Sequence, residues 1–255
     1  MATNKYLEIH KLLSKKYPDW DFFFNYIGSK TLGDLLVSIP LKSFQTALDL
    51  GSGFGGPAIF MAQFSTMSIL GIESIKPFCD FATEIVHLIN LDKQIQFIQG
   101  DFYLIPLAEN MYDFIYALDS LLLVNSVRNL NLLFERCWRM LRPGGYFLFT
   151  LLCIGENFPL NSDSRQKLRQ TLSILLSSNE IRQNLTKHAW STIKSYDITS
   201  SSINYTKLFL KQITSGLSDL NKQALSQFVM DIWNKGIFKQ LITQVLSHWA
   251  FIVQK

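Results

Sequence analysis

Residues 47–57, Ala47-Leu48-Asp49-Leu50-Gly51-Ser52-Gly53-Phe54-Gly55-Gly56-Pro57, run from an apolar strand into an acid, then a glycine cluster, then the start of a helix. Glycine lets a chain turn sharply and approach a ligand with no side chain in the way. Gly51, Gly53 and Gly56 also satisfy G-x-G-x-x-G, a fingerprint that by itself suggests a dinucleotide loop. Asp49, two residues before the first glycine, points elsewhere. An acid beside the loop suits a ligand that brings a positive group there and repels a pyrophosphate.

The segments that follow agree at the expected spacings. Met67 to Glu73 reads as a second buried strand ending in an acid, and Ser74 follows it. An acid about 20 residues past such a loop can accept hydrogen bonds from ribose hydroxyls, a feature shared with nicotinamide enzymes. A third short strand, Ile95 to Gln99, leads into Gly100-Asp101-Phe102. Pro106, Asn110, Tyr112 and Asp113 precede the apolar run from Phe114 to Leu118, and Met140-Leu141-Arg142-Pro143-Gly144-Gly145 joins a helix to a strand ending at Cys153.

In this order, the D-x-G-x-G loop, the G-D pair, the P-x-x-E-N-x-Y-D stretch and L-R-P-G-G resemble the motifs of class I S-adenosylmethionine-dependent methyltransferases, over roughly 44–153. The form G-x-G-x-G-G-P is similar to the small-molecule subfamily that includes sarcosine/dimethylglycine, phosphoethanolamine and sterol methyltransferases. The resemblance implies S-adenosylmethionine as cofactor, with S-adenosylhomocysteine as product. It implies that Asp49, Gly51, Ser52 and Gly53 hold the methionyl part, Glu73 with Ser74 the ribose, Asp101 and Phe102 the adenine, and that Ala117 and Leu118 complete the wall. It also implies a lid tyrosine near the sulfonium, Tyr26 or Tyr17. Simpler roles stand beside these: Asp49 as a turn cap and Phe102 as core.

The chain has 255 residues, nearly half of them apolar, and no Gly-, Ser- or Pro-rich linker. One domain is expected, with an aromatic lid at 1–40, a cofactor core at 41–154, a helical cap at 155–189 and a C-terminal part at 190–255. Met1 to Lys16 has no apolar signal core, and Tyr146 to Ile154 falls short of the ~20 residues a membrane helix needs. A cytoplasmic chain with no membrane span is therefore expected. Cys79, Cys137 and Cys153, like the four histidines, show no metal-ligand spacing, so no metal is expected. Bases outnumber acids between Asp163 and Lys222 without a dense run or interleaved aromatics, which argues against nucleic acid. They form either a solvated helix face or a cap that attracts an anion.

Strand and helix signals alternate through 153 residues, which predicts α/β architecture. The resemblance makes this a Rossmann-like seven-stranded sheet with helices on both faces. Strands are expected near 45–50, 67–72, 95–99, 113–118 and 145–153. A sixth is expected at 190–197, and Trp249 to Val253 form an antiparallel seventh. Helices are expected at 31–39, 56–65, 75–90 and 127–142, two more within 161–189, and two at 203–214 and 219–246.

Methyl transfer is an in-line displacement at an already activated carbon, so positioning and exclusion of water dominate. A base helps when the acceptor arrives protonated. Asp119 and Tyr26 are the candidate catalytic residues. Related enzymes often read D-A-x-x-H after the fourth strand. Here the stretch is Asp119-Ser120-Leu121-Leu122-Leu123, and leucine replaces the histidine. His188, Tyr196 and Tyr205 are the alternatives for a base. The expected acceptor is a small molecule, in the first place a specialised metabolite of apolar character methylated on nitrogen, carbon or oxygen, with a charged primary amine as the alternative. A non-catalytic partner subunit is a third reading, and a homodimer stays open.

Overall fold

A computed structural model of the chain describes residues 25, 27–155, 166, 168–169, 172–216, 241 and 243–255. The N-terminal aromatic residues through Phe24, the candidates Tyr17 and Tyr26, and the expected cap and helix at 156–165 and 217–240 lie outside those residues. Among the described residues seven strands form one sheet: β1 (Thr46–Leu50), β2 (Ser68–Glu73), β3 (Ile95–Gln99), β4 (Tyr112–Ala117), β5 (Leu141–Ile154), β6 (Thr192–Asp197) and β7 (Leu246–Gln254). Their order is β3-β2-β1-β4-β5-β7-β6. β1 to β5 run parallel, and β7 slots antiparallel between β5 and β6.

The parallel strands are near-continuous apolar runs because helices cover both faces, leaving no wet side to call for alternation. Those helices include α1 (Gly28–Leu36), α2 (Gly56–Ala62), α3 (Lys76–Leu88), α4 (Val127–Met140), α5 (Ser178–Thr186) and α6 (Thr199–Gly216). On one face, Leu130 and Phe134 of α4 and Ile181 and Leu185 of α5 pack with Phe147, Phe149 and Phe251. On the other, Leu32 and Leu35 of α1, Met61 of α2 and Val86 of α3 pack with Phe114, Tyr116, Leu148 and Ile252. Serines start two helices: Ser126 accepts from Asn129 N–H at 3.2 Å, and Ser177 with Glu180 forms a reciprocal cap.

Strand three has its expected bounds, and the seventh strand is antiparallel as expected. β5 starts earlier than expected. Leu141 is already extended and pairs with Tyr112, so Arg142 to Gly145 belong to the strand rather than to a helix stop. Tertiary contacts impose this. Gly144 N–H donates to the Lys255 carbonyl and Lys255 N–H to the Gly145 carbonyl, both at 2.9 Å. Pro143, which has no N–H, falls where the ladder between Tyr112 and Phe114 shifts register. The expected helix to 246 also gives way, because Leu246 pairs with Ile154 and opens β7.

Candidate active site

β1 and β4 are neighbours whose following helices, α2 and α4, pack on opposite faces of the sheet. A crevice opens at the carboxyl ends of such a strand pair, the usual ligand position in an open α/β sheet. The glycine loop forms one wall. Gly51 has φ +77°, and a Cβ there would lie 2.4 Å from Ser120 Cβ, so the turn after β4 sits directly on the first glycine. At Gly55, with φ +81°, a Cβ would lie 2.6 Å from the Phe97 ring. Between them Phe54 is fully buried, its ring centroid 4.5 Å from Phe78 and 5.6 Å from Phe81. Gly51 and Ser52 N–H groups donate to the Ile72 carbonyl at 2.9 and 3.0 Å. Gly53 N–H donates to Glu73 Oε2 at 2.8 Å. The loop is thus tied to the end of β2.

Asp49 lies in register with Gly71 on one side and Tyr116 on the other, and is only 2% exposed. Burial pushes its carboxyl well above the usual range; the Tyr116 hydroxyl pulls the other way, and the Glu73 charge adds to the rise. Neither Asp49 Oδ2 nor the Tyr116 hydroxyl closes a hydrogen bond of ordinary geometry, although each acts on the other's ionisation. Ser52 Oγ is likewise buried without a partner. Unpaired buried polar atoms cost about 1–3 kcal/mol each. Two of them beside a glycine cradle fit a ligand that brings an ammonium group, as the methionyl part of S-adenosylmethionine does.

Glu73 is buried, and its Oε1 accepts from Ile75 N–H at 2.9 Å and from Ser74 Oγ at 3.4 Å. Gly100 N–H donates to the Glu73 carbonyl at 2.9 Å, which brings the turn after β3 beside it. In that turn Asp101 is exposed and accepts from Tyr103 N–H at 2.8 Å, while half-buried Phe102 packs on Tyr103. Ala117 and Leu118 are buried at the end of β4. Every expected cofactor residue among the described residues therefore gathers along the carboxyl edge of the sheet.

Asp119 comes next, in the left-handed region at φ +63°. Its N–H donates to Thr150 Oγ1 at 2.8 Å, and the Thr150 hydroxyl donates back to Asp119 Oδ1 at 2.6 Å. His248 Nε2 lies 2.8 Å from the same Oδ1, and His248 Nδ1 lies 2.7 Å from Ser202 Oγ. Sequence reasoning missed this histidine. It did carry a signal: His248 shares the period-two row of β7 with Ala250 and Ile252, an apolar face on which a polar residue stands out. The other proposed bases sit elsewhere. His188 lies after α5, its ring edge-on to Phe134, before β6 begins at the far edge of the sheet. Tyr196 is 39% exposed on β6, and Tyr205 lies against Gly28. Asp113 and Arg142, drawn from two of the motifs, form an ion pair at 2.9 Å at the amino edge, away from the crevice.

Residues 48–149 match the methyltransferase domain family. A phosphoethanolamine N-methyltransferase of Plasmodium falciparum (isolate 3D7) is 28% identical over 203 residues, 78% of this chain and 75% of its own length. A cycloartenol-C-24-methyltransferase of Arabidopsis thaliana is 26% identical over 55% of this chain and 41% of its own length. In fold, the chain superposes on Haemonchus contortus phosphoethanolamine N-methyltransferase 2, solved with phosphomonomethylethanolamine and S-adenosylhomocysteine. The TM-score is 0.75 at 21% identity, covering 92% of this chain and 55% of that one. Residues 48–149 thus match a methyltransferase domain, and the strand order with the glycine loop gives the class I methyltransferase fold. Its cofactor is S-adenosylmethionine, and the chain is an enzyme acting on small molecules.

Proposed function

We propose that the chain methylates a small molecule whose accepting atom is an amine nitrogen. The observation that supports this reading is the Asp119 carboxylate, fastened one residue from the Ser120 turn that touches the cofactor loop. When bound, S-adenosylmethionine supplies an electrophilic methyl group. An amine that arrives as ammonium has no lone pair to attack it, and a fixed carboxylate both gathers the cation and takes its proton. The relative from Plasmodium carries an amine acceptor in its name, which lends the reading further weight.

In this assignment Asp49, Gly51, Ser52 and Gly53 receive the methionyl part. Glu73 takes a ribose hydroxyl, displacing the long 3.4 Å bond from Ser74. Asp101 and Phe102 take the adenine, and Ala117 and Leu118 close the wall. Tyr26 remains the candidate lid residue of a cytoplasmic single-domain enzyme, whereas α1 and α5, within the expected lid and cap, pack on the two faces of the sheet.

One observation favours an apolar acceptor instead. Leu152, Ile154, Leu168, Leu172 and Leu246 form a buried cluster that reaches Leu122, three residues beyond Asp119. Assays with methyl-labelled cofactor against phosphoethanolamine and other small amines, sterols, prenyl compounds and phenols separate the readings. Turnover of amines is the expected result, and turnover confined to sterol, prenyl or phenol acceptors would overturn it. Calorimetry with cofactor tests the non-catalytic alternative, which requires that no acceptor react.

A further inference from the structure

Four polar side chains from four separate elements meet beneath the crevice. Thr150 comes from β5, His248 from β7, Ser202 from α6 and Asp119 from the turn after β4. Thr150, Ser202 and His248 are all 0% exposed, and the Asp119 side chain is 7% exposed. Burying such groups is costly unless each is paired, and a pure packing role is served as well by apolar residues. Here they surround the carboxylate of the residue that precedes the Ser120 turn.

We propose that His248, backed by Ser202, is a positioning residue for Asp119: an imidazole carried on β7, instead of on the loop after β4, fixes the carboxylate that meets the acceptor. The proposal rests on Asp119 facing that acceptor, as argued above.

The hydrogen bonds constrain the protons. Ser202 Oγ lies 3.0 Å from the Ile198 carbonyl and 2.7 Å from His248 Nδ1, and it has one proton to donate. If that proton goes to Ile198, the ring donates from Nδ1, and Nε2 can face an ionised Asp119 only by carrying a second proton. If it goes to Nδ1, the ring is neutral. With Asp119 ionised, both arrangements then place an N–H on Nε2, 2.8 Å from Oδ1 but off the line of an ordinary hydrogen bond. The His248 backbone is fixed, because its N–H donates to Thr199 Oγ1 and its carbonyl accepts from Ile198 N–H, at 2.9 and 2.8 Å, and the side chain is fully buried. In the proton transfer an N–H bond of the acceptor ammonium breaks and an O–H bond forms on Asp119. The electron pair stays on nitrogen for the incoming methyl, and the carboxyl later returns its proton to water. His248 takes no proton in this scheme; it holds the carboxylate in place.

Two measurements on the full chain test this. In nitrogen-15 NMR of the four histidine rings, Asp119→Asn is expected to shift the His248 ring signals and leave the rest in place. Unmoved His248 signals would overturn the pairing with no acceptor needed. In kinetics, His248→Leu should lower kcat roughly 10–100-fold, the worth of a hydrogen bond to a charged group. Cofactor affinity should stay within about twofold, as for an independent site. His248→Gln places an amide N–H near the Nε2 position and should recover most of the loss. Wild-type kcat in His248→Leu, or a Gln variant no better than Leu while both bind cofactor, would sink the proposal. Should His248→Leu fail to fold, Ser202→Ala is read in its place, with a fall in kcat at unchanged KM expected and an unchanged kcat overturning. If no amine turns over but an apolar acceptor does, and its kcat falls in His248→Leu, the amine reading fails and the positioning role stands.

Discussion

Asp49 carries an acid into a setting that favours its neutral form, since burial raises its pKa from the ordinary 3.8. A carboxyl whose folded pKa is raised supports folding at low pH, and that support is lost as pH climbs from the unfolded value through the folded one. Asp49→Asn removes this slope. Its melting temperature should exceed that of the parent at pH 8 by more than at pH 5, while cofactor binding weakens; equal differences at both pH values would contradict the account. At Gly51, alanine must adopt φ +77° and clear the Ser120 side chain, so Gly51→Ala should cost about 1–3 kcal/mol and abolish measurable cofactor binding in calorimetry. These positions were legible in the sequence because backbone geometry and a buried charge admit few residue types. His248 was not, because its partner is supplied by the place of β7 in the sheet, which no local pattern announces.

Among the elements, the junction of β1, β4 and β5 shows motif residues at work away from the chemistry. Asp113 Oδ2 accepts from Gln45 and Thr46 N–H groups at 2.8 and 2.9 Å, and Arg142 Nη1 reaches Oδ1 at 2.9 Å. Burial alone would raise this carboxyl, but the two N–H groups and the guanidinium outweigh it and hold the pKa below 3.8. The sign is then opposite to that of Asp49: the stabilisation is present above the unfolded value and lost as pH falls through the lower folded one. Asp113→Asn should cost about 1–3 kcal/mol at pH 7, a difference that shrinks toward pH 3 in denaturant titrations, with kcat unaltered. A selective loss of kcat would place Asp113 in the site after all. The same junction explains why the start of β5 was misread from sequence. Pro143, Gly144 and Gly145 signal a break, yet Lys255, just past β7, bonds to both glycines and draws the segment into the strand. Strands and helices that rest on their own apolar pattern, such as β3 and α4, were readable to within a residue or two.

For the whole molecule, the cofactor ties these local effects together. A ligand ammonium beside Asp49 favours the carboxylate, so binding must lower a pKa that burial has raised, and protons are released. Affinity should therefore rise with pH until the free protein's Asp49 is ionised, then level off. Calorimetry in two buffers of different ionisation enthalpy measures the released protons directly. Asp49→Asn should show none from this source if it binds at all, and an identical release in that variant would remove Asp49 from the amino-group site. The binding energy also feeds back on folding. At about 100 times its dissociation constant, a ligand that binds only the folded chain adds about 2.7 kcal/mol. For a chain of this size that corresponds to roughly 5–10 °C in melting temperature. Glu73→Ala should lose most of that shift, because the Glu73 carboxylate holds the Gly53 N–H of the loop and, in the proposed assignment, the ribose. Glu73→Gln keeps an acceptor oxygen for the loop but loses the charge, and its shift should fall between those of alanine and the parent. A full shift in the alanine variant would mean that neither loop nor nucleoside depends on Glu73.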